Sequence, residues 1–287
     1  MKTIVYPRYG SPDLLRMENT PTPIPGDDEV LVKVHAVSLN SWDWDMLTGR
    51  PFEYRFISGF FKPKSSKLHG CDIAGIIEST GKNVTRFKVG DEVFGDLSED
   101  GWGAYAEYVC AGENELTRKP LTMTFEQAAC MAHGGNLAVQ GLMDCGKIKS
   151  GQKVLINGGG GSTGTLAVQL AKTFDVDLTA VDHTVKLDMM RSLGADHVID
   201  YMKDDFTDNG IAYDLIFDVK TDRAVSDYQN SLRPNGTYVT VGGKTSRILQ
   251  VLLFVKFSQK YKMKIVGYEA NKDSEYLIEL FETNKLK

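Results

Sequence analysis

The chain has 287 residues, 42% of them hydrophobic and 25% charged, and its 33 Lys and Arg against 38 Asp and Glu give a formal charge of −5. This is an ordinary globular composition, long enough for two domains, and no Lys/Arg block stands out, so neither nucleic acid nor an anionic membrane is an expected partner. The four cysteines, Cys71, Cys110, Cys130 and Cys145, are far apart without a C-x-x-C pair, which argues against a disulfide scaffold or a zinc ribbon and fits a reducing compartment.

The first ten residues lack the apolar region of a signal peptide, and a cytoplasmic location is expected. Residues 1–120 read as mostly β. Glu29–Val37 alternates apolar and polar residues, the mark of a half-buried strand, after a turn-rich entry at Pro21, Pro23, Pro25 and Gly26. Residues 70–79, 92–94 and 104–110 read as further short strands. Between them, 50–67 is aromatic and basic, with Phe52, Tyr54, Phe56, Phe60 and Phe61. It is either a binding loop or lid, or aromatic packing against the small domain's core.

From Thr124 the pattern turns helical, and strand and helix then alternate. Strands are expected at 153–157, 178–182, 197–200, 214–218 and 237–241, with helices at 164–173 and 186–193. That alternation predicts a doubly wound parallel sheet. The central stretch runs from Val154, Leu155 and Ile156 through four glycines into an amphipathic helix. Gly159, Gly161 and Gly164 fill a G-x-G-x-x-G pattern between strand and helix. The first allows the tight turn, the second the approach of a pyrophosphate and the third close helix–strand packing. The flanking pattern disfavours the alternative, a glycine-rich turn that binds nothing. Ser162 either adds a hydroxyl to the phosphate site or caps the helix.

The run 248–257 is the most apolar in the chain. It is too short to span a bilayer and is broken by Gln250 and Lys256. It reads as a buried or interface helix, with membrane contact the lesser alternative. A late strand is expected at 264–267 and a helix at 274–281.

These residues carry a family resemblance. It rests on Leu39-Asn40-x-x-Asp43, Gly70-Cys71-Asp72-Ile73-Ala74-Gly75 with Gly81, and Val89-Gly90-Asp91-Glu92-Val93. It continues through Gly103-Ala104-Tyr105-Ala106-Glu107-Tyr108, the glycine turn, Leu193-Gly194-Ala195-Asp196-x-Val198-Ile199-Asp200-Tyr201, and Gly236. In that order and spacing they resemble the medium-chain dehydrogenase/reductase superfamily, in its zinc-independent quinone oxidoreductase-like branch. The resemblance implies an α/β fold: an N-terminal GroES-like β domain over 1–120 and a Rossmann doubly wound parallel sheet over 121–268. Residues 269–287 would begin the return to the small domain, and the family's chain normally continues further, so the C-terminus reads as truncated.

The resemblance also implies a function: reduction of quinones, enones or related carbonyls by hydride from NADH or NADPH. The alternatives are an alcohol or carbonyl dehydrogenase, with or without metal assistance, and a nucleotide-binding sensor with little turnover. Zinc relatives carry a Cys…His…Cys catalytic set. Here Asn40 stands at its first position, Cys71 at its second and His133 near its third, and no zinc is expected, because Asn is a poor ligand. Asn40 is expected to orient the substrate, Asp43 to act beside it or anchor the loop, and Tyr54 to donate a proton from the aromatic loop. The cofactor is expected to contact Asn136, Gly159, Gly161, Ser162, Thr163, Gly164, Asp182, Lys186, Tyr201 and Gly242. Asp182 would accept the ribose 2′-OH and lean the choice towards NADH, while Thr184 and Lys186 keep the pattern of NADPH users; the alternative is that Asp182 caps the helix after it. Lys220 stands where the family has a smaller residue and is expected to crowd the cofactor. A homodimer joined through the 264–268 edge is the expected assembly.

Overall fold

The structure is a computed structural model that describes residues 1–52, 55–64, 70–99, 101–257 and 261–287. The chain folds as two compact units: 1–133 with 270–278, and 134–269 with 279–287. The division falls at His133/Gly134, whereas the sequence pattern places it at 120/121. The helix that begins at Phe125 hides the division, because its periodicity runs unbroken through it.

The first unit is built on antiparallel strands. β1 (Lys2–Val5) pairs with β2 (Arg16–Asn19). β3 (Glu29–Val37), β4 (Asp72–Thr80), β5 (Glu92–Asp96), β6 (Tyr108–Gly112) and β7 (Thr117–Arg118) form a second sheet in the order β6-β3-β4-β5-β7. The alternation expected of β3 places Val30 and Val32 inward, where they pack with Ile73, Ile77, Val93, Leu97, Val109 and Leu116. The expected strand at 104–110 begins later, at Tyr108.

After β3 the chain turns into α1 (Ser41–Thr48). The Asp43 carboxylate accepts the Asn40 backbone N–H at 2.7 Å, satisfying a donor at the helix start, and Gly49 at φ 62° closes its end. The short α2 (Arg55–Ser58) lies in the aromatic segment. Phe52, Phe56, Phe60 and Phe61 there are exposed and touch one another. They do not fill the small unit's core, and that alternative is set aside. Tyr54 lies outside the described residues.

α3 (Phe125–Val139) crosses the division and continues as a π-helical turn, Gln140–Cys145. The second unit then alternates as expected: β8 (Lys153–Asn157), α4 (Ser162–Lys172), β9 (Asp177–Asp182), α5 (Leu187–Ser192), β10 (His197–Asp200), β11 (Tyr213–Asp218), α6 (Val225–Asn230), β12 (Leu232–Thr240), α7 (Thr245–Phe257) and β13 (Lys262–Ile265). All six strands are parallel, in the order β10-β9-β8-β11-β12-β13. The chain winds outward from β8 through β9 to β10, then from β11 through β12 to β13. The switch point therefore lies between β8 and β11, where open α/β sheets bind ligands at their carboxyl ends. Leu155, Ile216, Phe206, Tyr228, Tyr238 and Val251 are buried in this unit's core. β13 is an edge strand paired to β12, two residues earlier than the strand expected at 264–267. α8 (Ser274–Glu282) follows, its residues shared between the units at 278/279.

Candidate functional site

In the second unit the glycine turn joins β8 to α4. Gly158 sits at φ 88°, left-handed backbone that favours glycine. Its N–H and that of Gly159 donate to the Val181 carbonyl at 2.9 and 3.0 Å, which ties the turn to β9. A Cβ on Gly164 would lie 2.0 Å from the Gly158 carbonyl oxygen, so the close helix–strand packing needs glycine there. A Cβ on Gly159 would press on Met190 Sδ at 2.9 Å. Gly161 differs: the nearest atom to its Cβ would be 3.5 Å away, and its bare side is open. Such a cradle fits a pyrophosphate, whose oxygens need close backbone N–H groups and no side chain in the way. Gly161 itself takes the helix N-cap position, in extended backbone. Ser162 is therefore the first helical residue and does not cap, whereas Thr163 is buried beneath it.

Asp182 ends β9 and reaches the turn. One carboxylate oxygen accepts the Gly160 N–H at 2.9 Å. The other accepts the His183 N–H at 2.7 Å and lies 3.4 Å from Lys186 Nζ. His183, not Asp182, caps the short 3₁₀ turn Thr184–Lys186 that follows, which corrects the capping alternative. The Lys186 chain lies over Gly160, its Cδ 2.5 Å from where a Cβ would stand. A cavity of about 290 Å³ opens here, lined by Asn157, Gly158, Asp182, Tyr201, Lys220 and Arg223 among others. Lys220 does lean across the turn, with Cγ and Cε 3.3 and 3.4 Å from a Cβ at Gly158. The Arg223 guanidinium is held over the Phe206 ring and pairs with Asp205. The structure thus brings together the turn, Asp182, Lys186 and Tyr201. Asn136 is fully buried and Gly242, at φ 148°, follows β12; neither lines this cavity.

In the first unit, Asn40 and Asp43 lie within a buried polar cluster. The Asn40 amide donates to Asp72 at 2.8 Å, to Ser38 Oγ at 3.2 Å and, weakly, to Cys71 Sγ at 3.5 Å. Its two protons are committed inside the protein. Asp43 accepts backbone N–H groups from Asn40 and Gly70, at 2.7 and 3.1 Å. Asp72 also takes the His133 N–H at 3.0 Å, and His133 Nδ1 stands 2.8 Å from Asp96. Burial and the charge of nearby Asp96 push the Asp72 carboxyl up to about 6. Burial by itself would lower the His133 imidazole, but the Asp96 hydrogen bond and the surrounding carboxylates outweigh it and raise it. Burial and the charges of Asp72, Asp96 and Asp43 hold Cys71 as a thiol.

Cys71, Asp96 and His133 each present a ligand atom within 4.8 Å of the others, a set that could hold a metal ion. Sequence reasoning considered Cys71 and His133 but missed Asp96, which stands 37 residues from His133 in a strand with no motif to mark it. It also missed Asp72 as the hub of the cluster, although Asp72 follows Cys71 in a quoted motif, and Arg223 at the cavity.

Two family descriptions match the chain: Alcohol dehydrogenase GroES-like domain over residues 26–121, and Zinc-binding dehydrogenase over 162–283. A quinone-oxidoreductase homolog of Spinacia oleracea, named as chloroplastic, is 31% identical over 300 residues, covering 100% of this chain and 89% of the relative. An Arabidopsis thaliana protein named as a chloroplastic NADPH-dependent alkenal/one oxidoreductase is 36% identical over 230 residues; these cover 76% of this chain and 57% of the relative, so the chain spans little more than half that protein's length. Among solved structures, the quinone oxidoreductase from Coxiella burnetii superposes with a TM-score of 0.88 at 28% identity, over 100% of this chain and 89% of its own. The β-rich first unit, the doubly wound second unit with its glycine cradle, and likeness across the full length agree: the chain belongs to the medium-chain dehydrogenase/reductase superfamily, among its quinone oxidoreductase-like members.

Proposed function

We propose that the chain is an NAD(P)H-dependent reductase of quinones, enones or related electrophilic carbonyls, and that it works without zinc. The observation that carries this reading is the 158–164 turn: a cradle that glycine alone permits at Gly164 and leaves open at Gly161, at the switch point of a parallel sheet and beside the Asp182 cavity. The quinone and alkenal/one activities in the relatives' names support the acceptor class.

Bound NAD(P)H would supply the hydride. The chain's part is to hold the cofactor and order the acceptor's surroundings. The backbone at the start of α4, with Gly159, Gly161, Ser162, Thr163 and Gly164, holds the pyrophosphate. Asp182, Lys186 and Tyr201 face the ribose. Asp182 is matched by two backbone N–H groups and the Lys186 ammonium, so its charge excludes a 2′-phosphate only weakly. Both cofactors are used, with catalytic efficiencies within about tenfold, a gap of roughly 1.4 kcal/mol. This narrows the lean towards NADH expected from Asp182 alone. Asn136 remains assigned to the nicotinamide end, Gly242 to cofactor binding and Tyr54 to proton donation, by family pattern.

The chemistry of the donor set supports the zinc-free reading. Asn40, a poor zinc ligand, stands where the zinc relatives have their first catalytic ligand, and it aims its amide protons at Asp72. An acceptor that is already electrophilic needs no Lewis acid, and the proton that completes its reduction comes from Tyr54 or from solvent. Asn40 and Asp43 act as positioning residues that fix the entry to α1. The second reading, a metal-assisted carbonyl dehydrogenase, draws on the Cys71, Asp96 and His133 set. NADH and NADPH oxidation across a quinone and enone panel, run with metal analysis of the purified protein, separates the two. Turnover with metal-free protein supports the first; stoichiometric zinc whose removal abolishes turnover supports the second.

A further inference from the structure

In the second unit, β11 ends in a turn, 218–221, that lies against the glycine turn. The Asp218 side chain is fully buried. It accepts hydrogen bonds from the Asn157 amide at 2.9 Å, the Tyr238 hydroxyl at 2.8 Å and the backbone N–H groups of Lys220 and Thr221, both at 3.0 Å. The Val219 N–H donates to the Asn157 carbonyl at 2.9 Å, which ties the turn to the end of β8. Thr221 is buried and sits at φ 45°, left-handed backbone that a β-branched residue rarely adopts. Its hydroxyl pairs with that of Thr240 at the end of β12. Strain of this kind persists where the surroundings over-determine it, and it gathers at ligand sites.

The side chain this fixed turn presents is Lys220. Its stem lies along Gly158, with Cγ and Cε 3.3 and 3.4 Å from where a Cβ would stand. Lys186 covers Gly160 in the same manner. The two lysines differ in their partners. Lys186 Nζ is 3.4 Å from Asp182, and Arg223, also in the cavity wall, pairs with Asp205. Among the described residues no carboxylate pairs with the Lys220 ammonium, that of neighbouring Asp222 included. The cavity of about 290 Å³ stays open with Lys220 in its wall, which speaks against the crowding expected from the sequence.

We propose that Lys220 is a phosphate ligand of the dinucleotide, its ammonium set on the diphosphate that NADH and NADPH share. This rests on the cofactor reading above and deepens it. Backbone N–H groups of the cradle can satisfy diphosphate oxygens but bring no full charge. An ammonium brings one, and a charge-assisted hydrogen bond is about twice as strong as a neutral one. The place over Gly158, rather than over Gly160 beside Asp182, gives Lys220 the diphosphate and leaves Lys186 to the ribose. The family pattern has a smaller residue here, so this cation is an addition of this chain.

The test is calorimetric titration of the full chain with NADH and with NADPH, for the parent, Lys220→Met and Lys220→Arg. Lys220 is exposed, so melting temperatures should match the parent and confirm folding. Lys220→Met should raise Kd by about tenfold for both cofactors alike, and the loss should shrink in high salt. Lys220→Arg keeps the cation and should stay within about threefold of the parent. An unchanged Kd for Lys220→Met overturns the proposal, as does a lower one, which would mean that the stem crowds the cofactor. Equal losses in the Met and Arg variants overturn it too, since charge would not be the cause. A loss confined to NADPH overturns it by placing the ammonium at the 2′-phosphate. If the parent binds neither cofactor, the cofactor reading itself fails and this inference falls with it.

Discussion

His133 Nδ1 and an Asp96 carboxylate oxygen stand 2.8 Å apart, with both side chains withdrawn from water. A buried pair of this kind is weak evidence for net stability, yet breaking it by removing one partner strands a charge. His133→Ala is expected to destabilise the protein by roughly 3–5 kcal/mol, read by denaturant unfolding, and His133→Gln by less, because the amide can still donate to Asp96. A loss below about 1 kcal/mol for His133→Ala would mean that the pair is not formed in solution.

The same cluster sets a pH dependence. The native Asp72 carboxyl is raised from 3.8 to about 6, so the native state binds this proton more tightly than the unfolded chain does. Its stabilising contribution is complete below pH 3.8 and is lost as pH rises through about 6. His133 is also raised, so its contribution is complete below 6.5 and is lost as pH climbs through the native value. Asp72→Asn should therefore flatten the fall in melting temperature across the first window. An unchanged slope would show that Asp72 does not titrate there.

Two glycines in one turn should fail differently. Gly164→Ala drives a Cβ against the Gly158 carbonyl at 2.0 Å, so both the melting temperature and cofactor binding should fall, with a stability loss of roughly 1–3 kcal/mol or more. Gly161→Ala meets nothing closer than 3.5 Å, so the fold should hold while the new methyl obstructs the pyrophosphate. Its KM for NAD(P)H should rise about tenfold or more with the melting temperature unchanged. Unchanged KM for Gly161→Ala would remove the turn from the cofactor site.

Asp182 and Lys186 should move cofactor choice in opposite directions. Asp182→Ser removes the carboxylate and releases Lys186 towards a 2′-phosphate, so the kcat/KM ratio should shift towards NADPH by about tenfold. Lys186→Ala should lower kcat/KM for NADPH several-fold and leave NADH nearly unaffected, the loss of one charge-assisted contact. If both ratios stay constant, the ribose end is not at this cavity.

Asn40 should behave as a positioning residue. Asn40→Ala takes a donor from the buried Asp72 carboxylate, at a cost of about 1–3 kcal/mol. Asn40→Ser, which keeps a donor, should recover part of that stability. Full stability of the Ala variant together with lost turnover would instead place the amide on the substrate.

The doubly wound unit was readable because its signals are local. Val154, Leu155 and Ile156 mark a buried strand, four glycines mark the turn, and the helical period after Gly164 marks α4. Periodicity also placed β8, β9 and β10 within a residue or two. The division at His133/Gly134 was hidden, since a helix period carries no sign of which unit each turn belongs to. The buried cluster was hidden for another reason: Asp96, Asp72 and His133 meet across 37 and 61 residues, and only the fold brings them together. The Asp182 carboxylate was found from its distance past the turn, but its bonds to Gly160 and Lys186 depend on side-chain geometry that spacing does not encode.

The proposed reaction is hydride transfer from a nicotinamide cofactor to an electrophilic acceptor without zinc. The most direct measurement is steady-state oxidation of NADPH and NADH with a quinone and an enone, by protein whose zinc content has been determined and which has been dialysed against a chelator. Turnover with both cofactors should survive chelation, in protein holding far less than one zinc per chain. Tight cofactor binding without oxidation on any acceptor, or turnover that disappears with a stoichiometric zinc and returns on its addition, would contradict it.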